Sequence, residues 1–125
     1  MVKRIVLLSF FLFSCTGLMG KPYIVFSKLE HDFGVIKQEQ IVKTIISFEN
    51  KGDAVLIIKN VEASCGCTGT KVDKMKLAPG EKGNLEVNFN SGHYNGRVSR
   101  SIVIHTNDPA NPTIMLKIFA NVVPK

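Results

Sequence analysis

The chain has 125 residues, which leaves room for one domain and an export segment, since a single hydrophobic core usually occupies roughly 100–150 residues. With 45% hydrophobic and 21% charged residues and no Trp, the composition excludes a disordered or collagenous chain. The formal charge of +6 is no nucleic-acid signature: Lys3 and Arg4 belong to the leader, and Lys28, Lys37, Lys43, Lys51, Lys59 and Lys117 recur singly among apolar residues, as on the solvent faces of strands.

Met1 to Arg4 give a positive start, Ile5 to Phe13 an apolar run broken only by Ser9, and Ser14 to Gly20 a small-residue exit. This is the pattern of a secretory signal, predicted over residues 1–20. Even extended to Met19, the run falls short of the roughly 20 residues that span a bilayer as a helix. Leu12-Phe13-Ser14-Cys15 resembles a lipobox, which predicts membrane attachment through a lipidated Cys15, although Phe13 departs from the usual small residue. The alternative is an ordinary cleavage after Gly20 that releases a secreted form. Either way the domain, residues 21–125, is expected outside the cytoplasm, in the periplasm or cell envelope.

The domain reads as strands. Short ones are predicted at residues 23–26 and around 33–36. Over residues 41–50, Val42, Thr44, Ile46 and Phe48 alternate with Lys43, Ile45, Ser47 and Glu49, the period of a half-buried strand. Asn50-Lys51-Gly52-Asp53 has turn chemistry and predicts a hairpin to a strand over 54–61. A short strand follows at 70–72. Ala78-Pro79-Gly80-Glu81 predicts a type II turn, with Pro at the first corner and Gly at the second. In the strand after it Gly83, Leu85, Val87 and Phe89 share a face, and beyond the loop at 90–96 Val98, Arg100, Ile102 and Ile104 do the same. Arg100 is the odd member of that face and is placed near a rim. The segment from Thr106 to Pro112, with two Pro and three Asx residues, cannot continue a central strand and is expected to close a hairpin. The last strand, 113–122, alternates Ile114, Leu116, Ile118, Ala120 and Val122 against an outer row in which Phe119 is predicted to cover an edge or a partner. Seven or eight closely spaced strands with no competing helical period predict an all-β sandwich.

Several segments are recognisable in order and spacing: His31-Asp32-Phe33-Gly34-Val35-Ile36, Phe48-Glu49-Asn50-Lys51-Gly52, Ser64-Cys65-Gly66-Cys67-Thr68, Pro79-Gly80-Glu81 and Thr106-Asn107-Asp108-Pro109. Over about residues 26–123 the chain resembles the bacterial family called domain of unknown function 1573. The resemblance implies an immunoglobulin-like β-sandwich related to the ASH, MSP and PapD-like domains, often exported and without an established activity. Fold alone assigns no function.

Cys65-Gly66-Cys67 is the one concentrated reactive feature. It supports three readings: a small-ring disulfide open to thiol exchange, a soft-metal site completed by His31, His93 or His105, or a structural pair at the end of a strand. Lys71, Lys74 and Lys76 would favour a thiolate there, and Glu62 and Asp73 would oppose it. With Cys15 lipidated or removed, the remaining two cysteines make an even pair for an oxidising compartment. Adjacent His31 and Asp32 point to opposite faces of a strand, so they are assigned a turn or strand-entry role. His93 is read as a loop residue and His105 as a rim histidine. No hydrolase, zinc-protease, nucleotide-binding or EF-hand motif occurs, so no catalytic residue is assigned and no cofactor is expected. The function expected is a non-enzymatic binding or scaffolding module with an unidentified protein partner. The alternative is a thiol-redox or soft-metal-binding protein using Cys65 and Cys67.

Overall fold

The computed structural model describes residues 20–125. The predicted signal segment and Cys15 lie outside the described residues. Among the described residues nine strands follow one another: β1 (Ile24–Phe26), β2 (Glu30–Lys37), β3 (Ile41–Asn50), β4 (Leu56–Ala63), β5 (Thr68–Val72), β6 (Lys76–Leu77), β7 (Lys82–Asn90), β8 (Gly96–Thr106) and β9 (Thr113–Val123). They form two sheets, one in the order β1-β3-β7-β5 and one in the order β2-β9-β8-β4-β6. All pairings are antiparallel except β2 with β9, which is parallel.

Period-two alternation decides which side chains enter the core. In β3, Ile46 and Phe48 are buried while Lys43 and Ile45 face solvent; Leu85, Val87 and Phe89 enter from β7. From the other sheet come Ile102 and Ile104 of β8 and Leu116, Ile118, Ala120 and Val122 of β9. The buried set forms one contiguous cluster between the layers. At about 25 cal/mol per Å² of apolar surface buried, this cluster is the dominant favourable term in folding.

The expected hairpin at Asn50–Asp53 does not form, because β3 and β4 lie in different sheets and the segment is a crossing between layers. The turn chemistry there serves another purpose. The fully buried Asn50 accepts hydrogen bonds at Oδ1 from Tyr23 N (3.2 Å) and Gly52 N (2.9 Å), and donates from Nδ2 to Ala54 O (2.7 Å) and Leu77 O (3.0 Å). A Cβ at Gly52 would collide with the Lys21 carbonyl, so the close approach of these two segments needs glycine.

Ala78-Pro79-Gly80-Glu81 turns as predicted, with Gly80 at φ 83° and Glu81 N donating to Ala78 O (2.9 Å). The Thr106–Pro112 segment closes the β8–β9 hairpin. Within it, the buried Asp108 accepts from Ile24 N (3.0 Å), Ala110 N (2.8 Å) and Asn111 Nδ2 (3.0 Å), while Asn107 Oδ1 accepts from Ile57 N (2.7 Å). Asn50 and Asp108 thus hold β1 from both layers at one end of the sandwich.

Candidate functional site

At the opposite end, the chain crosses from β4 to β5 through the Cys65-Gly66-Cys67 segment. Ser64 extends the β4–β8 pairing by donating from its amide to Ser101 O (2.9 Å) and accepting from Ser101 N at Oγ (3.0 Å). A tight turn follows, closed by Thr68 N donating to Cys65 O (3.2 Å), and Asn90 N fixes the far side on Cys67 O (2.8 Å). The backbone is therefore held by hydrogen bonds at both ends of the motif.

Cys65 and Cys67 are joined as a disulfide. Cys67 packs against the hydrophobic core, and Cys65 is not among the side chains packed there. A bridge across one intervening residue closes a very small loop. The chain-entropy relation gives on the order of 1–2 kcal/mol for it, against about 3 kcal/mol for a fifteen-residue loop. The bridge is a weak staple for a turn already fixed by its backbone.

Two side chains from distant segments converge on the bridge. Arg100, half-buried at an inward-facing position of β8, donates from Nε to Cys67 Sγ (3.3 Å) and from an Nη to Ser99 O (2.8 Å). Its guanidinium lies over the Tyr94 ring, 4.9 Å from the centroid. Tyr94, in the β7–β8 loop, stacks in turn on the buried Phe89 ring at 6.2 Å and brings its hydroxyl within 3.8 Å of Cys65 Sγ. Among the described residues no carboxylate forms an ion pair with Arg100, whereas Arg97 three positions earlier pairs with Asp32 at 3.0 Å. A half-buried cation whose partners are a sulfur, a carbonyl and a ring retains capacity for an anion.

The histidines lie elsewhere. His31 Nδ1 is 2.8 Å from Lys28 Nζ, with its ring edge-on to Phe33 at 4.7 Å. Partial burial, then the Lys28 charge, pushes the pKa of His31 below the ordinary imidazole value against the opposing pull of Asp32. The Asp32 carboxylate faces outward from the third residue of β2. It accepts from Gly34 N (2.8 Å) at the β2 register shift and from Arg97, and those bonds hold its pKa below the usual carboxylate range. His93 is an exposed loop residue 3.8 Å from Glu39, and His105 sits 3.5 Å from Glu62 at the end of β8. Among the described residues no three His, Cys, Asp or Glu side chains cluster as a metal site would require, so Cys65 and Cys67 lack a third ligand from His31, His93 or His105. Lys74, a candidate thiolate stabiliser, is occupied by Glu81 at 2.9 Å.

Two surface features complete the picture. Phe119 of β9, half-buried, lies under the Arg97 guanidinium, 5.0 Å from its centroid. β1 pairs only with Phe48, Glu49 and Asn50, so the β1-facing edge of β3 has no partner strand from Ile41 to Ile46 among the described residues. Ile41 and Ile45 on that stretch are 64% and 62% exposed, although both are large and apolar.

The sequence over residues 24–122 matches the family described as protein of unknown function, DUF1573. The chain belongs to this family. Among solved structures, the DUF1573 chain is similar to a protein of unknown function from Porphyromonas gingivalis W83 (20% identity, TM-score 0.71), the match covering 80% of this chain and 46% of that one. It is also similar to the VesB protease of Vibrio cholerae (12%, TM-score 0.66; 78% and 31% covered) and to the ASH/PapD-like domain 7 of human CEP192 (7%, TM-score 0.67; 91% and 94% covered). The chain thus spans less than half the length of the first two. At these identities the likeness is one of fold, an immunoglobulin-like, PapD-like sandwich, and no activity follows from it. No curated protein matches the chain in sequence.

Proposed function

We propose that this DUF1573 protein is an exported binding or scaffolding module, tethered through Cys15, that takes up an extended segment of a partner protein along the free edge of β3. The observation that carries this reading is the unpaired stretch from Ile41 to Ile46, with Ile41 and Ile45 exposed beside it. An open strand edge offers main-chain donors and acceptors for strand addition, and alternate side chains give such a contact its selectivity. Three of the other edges are short or interrupted, and β5, at the far side of the same sheet, runs for five residues and carries Lys71. β6 has two residues and β1 three, while β2 carries Glu30, Asp32 and Lys37 and a register shift at Asp32/Val35. Short, charged or bulged edges discourage pairing.

The test is site-specific photo-crosslinking in the native cell envelope. A crosslinker at Ile45 should capture a defined partner that one at Met115, also exposed but on the other sheet, does not. Ile41→Lys should abolish capture at Ile45 while the purified variant keeps its fold. Identical products from both positions, or capture unaffected by Ile41→Lys, overturn the assignment.

A further inference from the structure

The Cys65–Cys67 bridge is poorly explained as a staple, since hydrogen bonds at Thr68 N and Asn90 N already fix its turn. Its surroundings are asymmetric. Arg100 directs its charged Nε at Cys67 Sγ and has no carboxylate partner among the described residues, while Cys65, set off the core, meets neutral groups, accepting from the Cys67 amide (3.0 Å) with the Tyr94 hydroxyl 3.8 Å away. A cation beside one sulfur matters little to a neutral disulfide and much to the thiolate formed when the bridge opens, because the thiolate is the species a neighbouring positive charge stabilises. In thiol–disulfide exchange the better-stabilised thiolate is the better leaving group.

We propose that Cys65–Cys67 is a redox-active disulfide that oxidises the exposed dithiol of a partner protein, with Cys65 as the sulfur attacked, Cys67 as the leaving thiolate and Arg100 as the residue that holds it. One partner thiol, deprotonated, attacks Cys65 Sγ. The Sγ–Sγ bond breaks, its electron pair departs on Cys67 Sγ against the Arg100 guanidinium, and a mixed disulfide joins the partner to Cys65. The partner's second thiolate then attacks the partner's own sulfur in that mixed disulfide and releases Cys65 as a thiolate, which takes a proton from solvent. The partner leaves as a disulfide, having lost two electrons and two protons. The electrons remain on the Cys65 thiol and the Cys67 thiolate, and the second proton goes to solvent. This role is separate from strand addition at β3, since it uses β8 and the β4–β5 and β7–β8 loops.

Three measurements on the purified chain test it. The first equilibrates the protein in glutathione buffers at pH 7 and quantifies the Cys65–Cys67 peptide by alkylation and mass spectrometry, which separates it from Cys15. The bridge should open and reclose with the β-sheet circular dichroism unchanged. Arg100→Met should shift the equilibrium toward the disulfide by roughly three- to tenfold, and Arg100→Lys, which keeps the charge, by less. The second follows thiolate absorbance in Cys65→Ser, where Cys67 should ionise at lower pH than in the same variant carrying Arg100→Met. The third offers a reduced Cys-X-X-Cys peptide, which should emerge oxidised in step with opening of the bridge. A bridge that opens only when the sheet melts, an equilibrium and an ionisation indifferent to Arg100, or a peptide left reduced would each overturn the proposal.

Discussion

Replacing Asp108 by Ala should detach β1 from the sandwich. The carboxylate is buried and accepts from Ile24 N, Ala110 N and Asn111 Nδ2, at 3.0, 2.8 and 3.0 Å. The Ala110 and Asn111 donors lie nearer the surface and find water when the acceptor is removed, whereas Ile24 N is buried. Hydrogen bonds to charged groups contribute about 1.5–3 kcal/mol and a buried donor left unsatisfied costs about 1–3 kcal/mol, so Asp108→Ala should lose about 3 kcal/mol. For a domain of this size that is a fall in Tm of about 15 °C. Thermal and urea unfolding would measure the loss, and amide hydrogen exchange would place it, with Ile24 and Phe26 losing protection first.

The same substitution has a pH signature. Burial alone would raise the Asp108 pKa, but the bonds from Asn111, Ile24 and Ala110 outweigh it and hold the value below the ordinary carboxylate range. A carboxyl depressed in the folded state stabilises the fold above its unfolded pKa, and that stability is lost as pH falls through the folded value. The gap between wild type and Asp108→Ala should therefore be widest near neutrality and narrow in acid. A loss under about 1 kcal/mol, or β1 amides that stay protected, would refute the view that Asp108 anchors this strand.

Gly52→Ala should destabilise the fold by roughly 2 kcal/mol or more in urea titration, because its methyl meets the Lys21 backbone and neither segment moves without disturbing Asn50. Arg97→Ala should cost about 1 kcal/mol, and a double-mutant cycle with Phe119→Ala should recover about 0.5 kcal/mol of coupling between ring and guanidinium. Cys65→Ser with Cys67→Ser should fold to the same sheets and lose no more than about 2 kcal/mol in urea, the scale set by the small loop the bridge closes.

How much of this was legible in the sequence depended on how local its cause is. The ten residues of β3 alternate strictly, and the structure places the strand over that same stretch. The Pro79-Gly80 turn is equally local. By contrast, no periodicity states which layer a strand joins. Asn50 and Gly52 are turn residues in either case, yet their bonds to Tyr23, Ala54 and Leu77 make a crossing where a hairpin was expected. The parallel pairing of β2 with β9 also has no local signature, and β6, two residues long, is too short to show a period. Arg100 stood out as a charge in an apolar row. Its meaning required Cys67 and Tyr94, which reach it from loops about thirty residues before and six before in the chain, and only the fold brings these together.

The family motifs separate by position, and the separation bears on how the protein would be presented. Asn50, Gly80 and Asp108 all lie where β3 and β8 end and β7 and β9 begin, and β1 enters there. The cysteine bridge, Tyr94 and Arg100 cluster toward the other end, where Cys67 meets Asn90 and β3 starts opposite it at Ile41. With a rise of about 3.4 Å per residue, the ten-residue β3 separates the two ends by about 30 Å. A lipid on Cys15 would therefore hold the anchoring end near the bilayer and turn the bridge away from it. With full-length protein on vesicles, a fluorophore on Ala110→Cys in a chain lacking Cys65 and Cys67 should be quenched by bromolipids more strongly than one at His93→Cys in the same background. Equal or reversed quenching would show that the tether does not enter through the Asn50 and Asp108 end, and failure to recover the protein with vesicles would remove the Cys15 anchor itself.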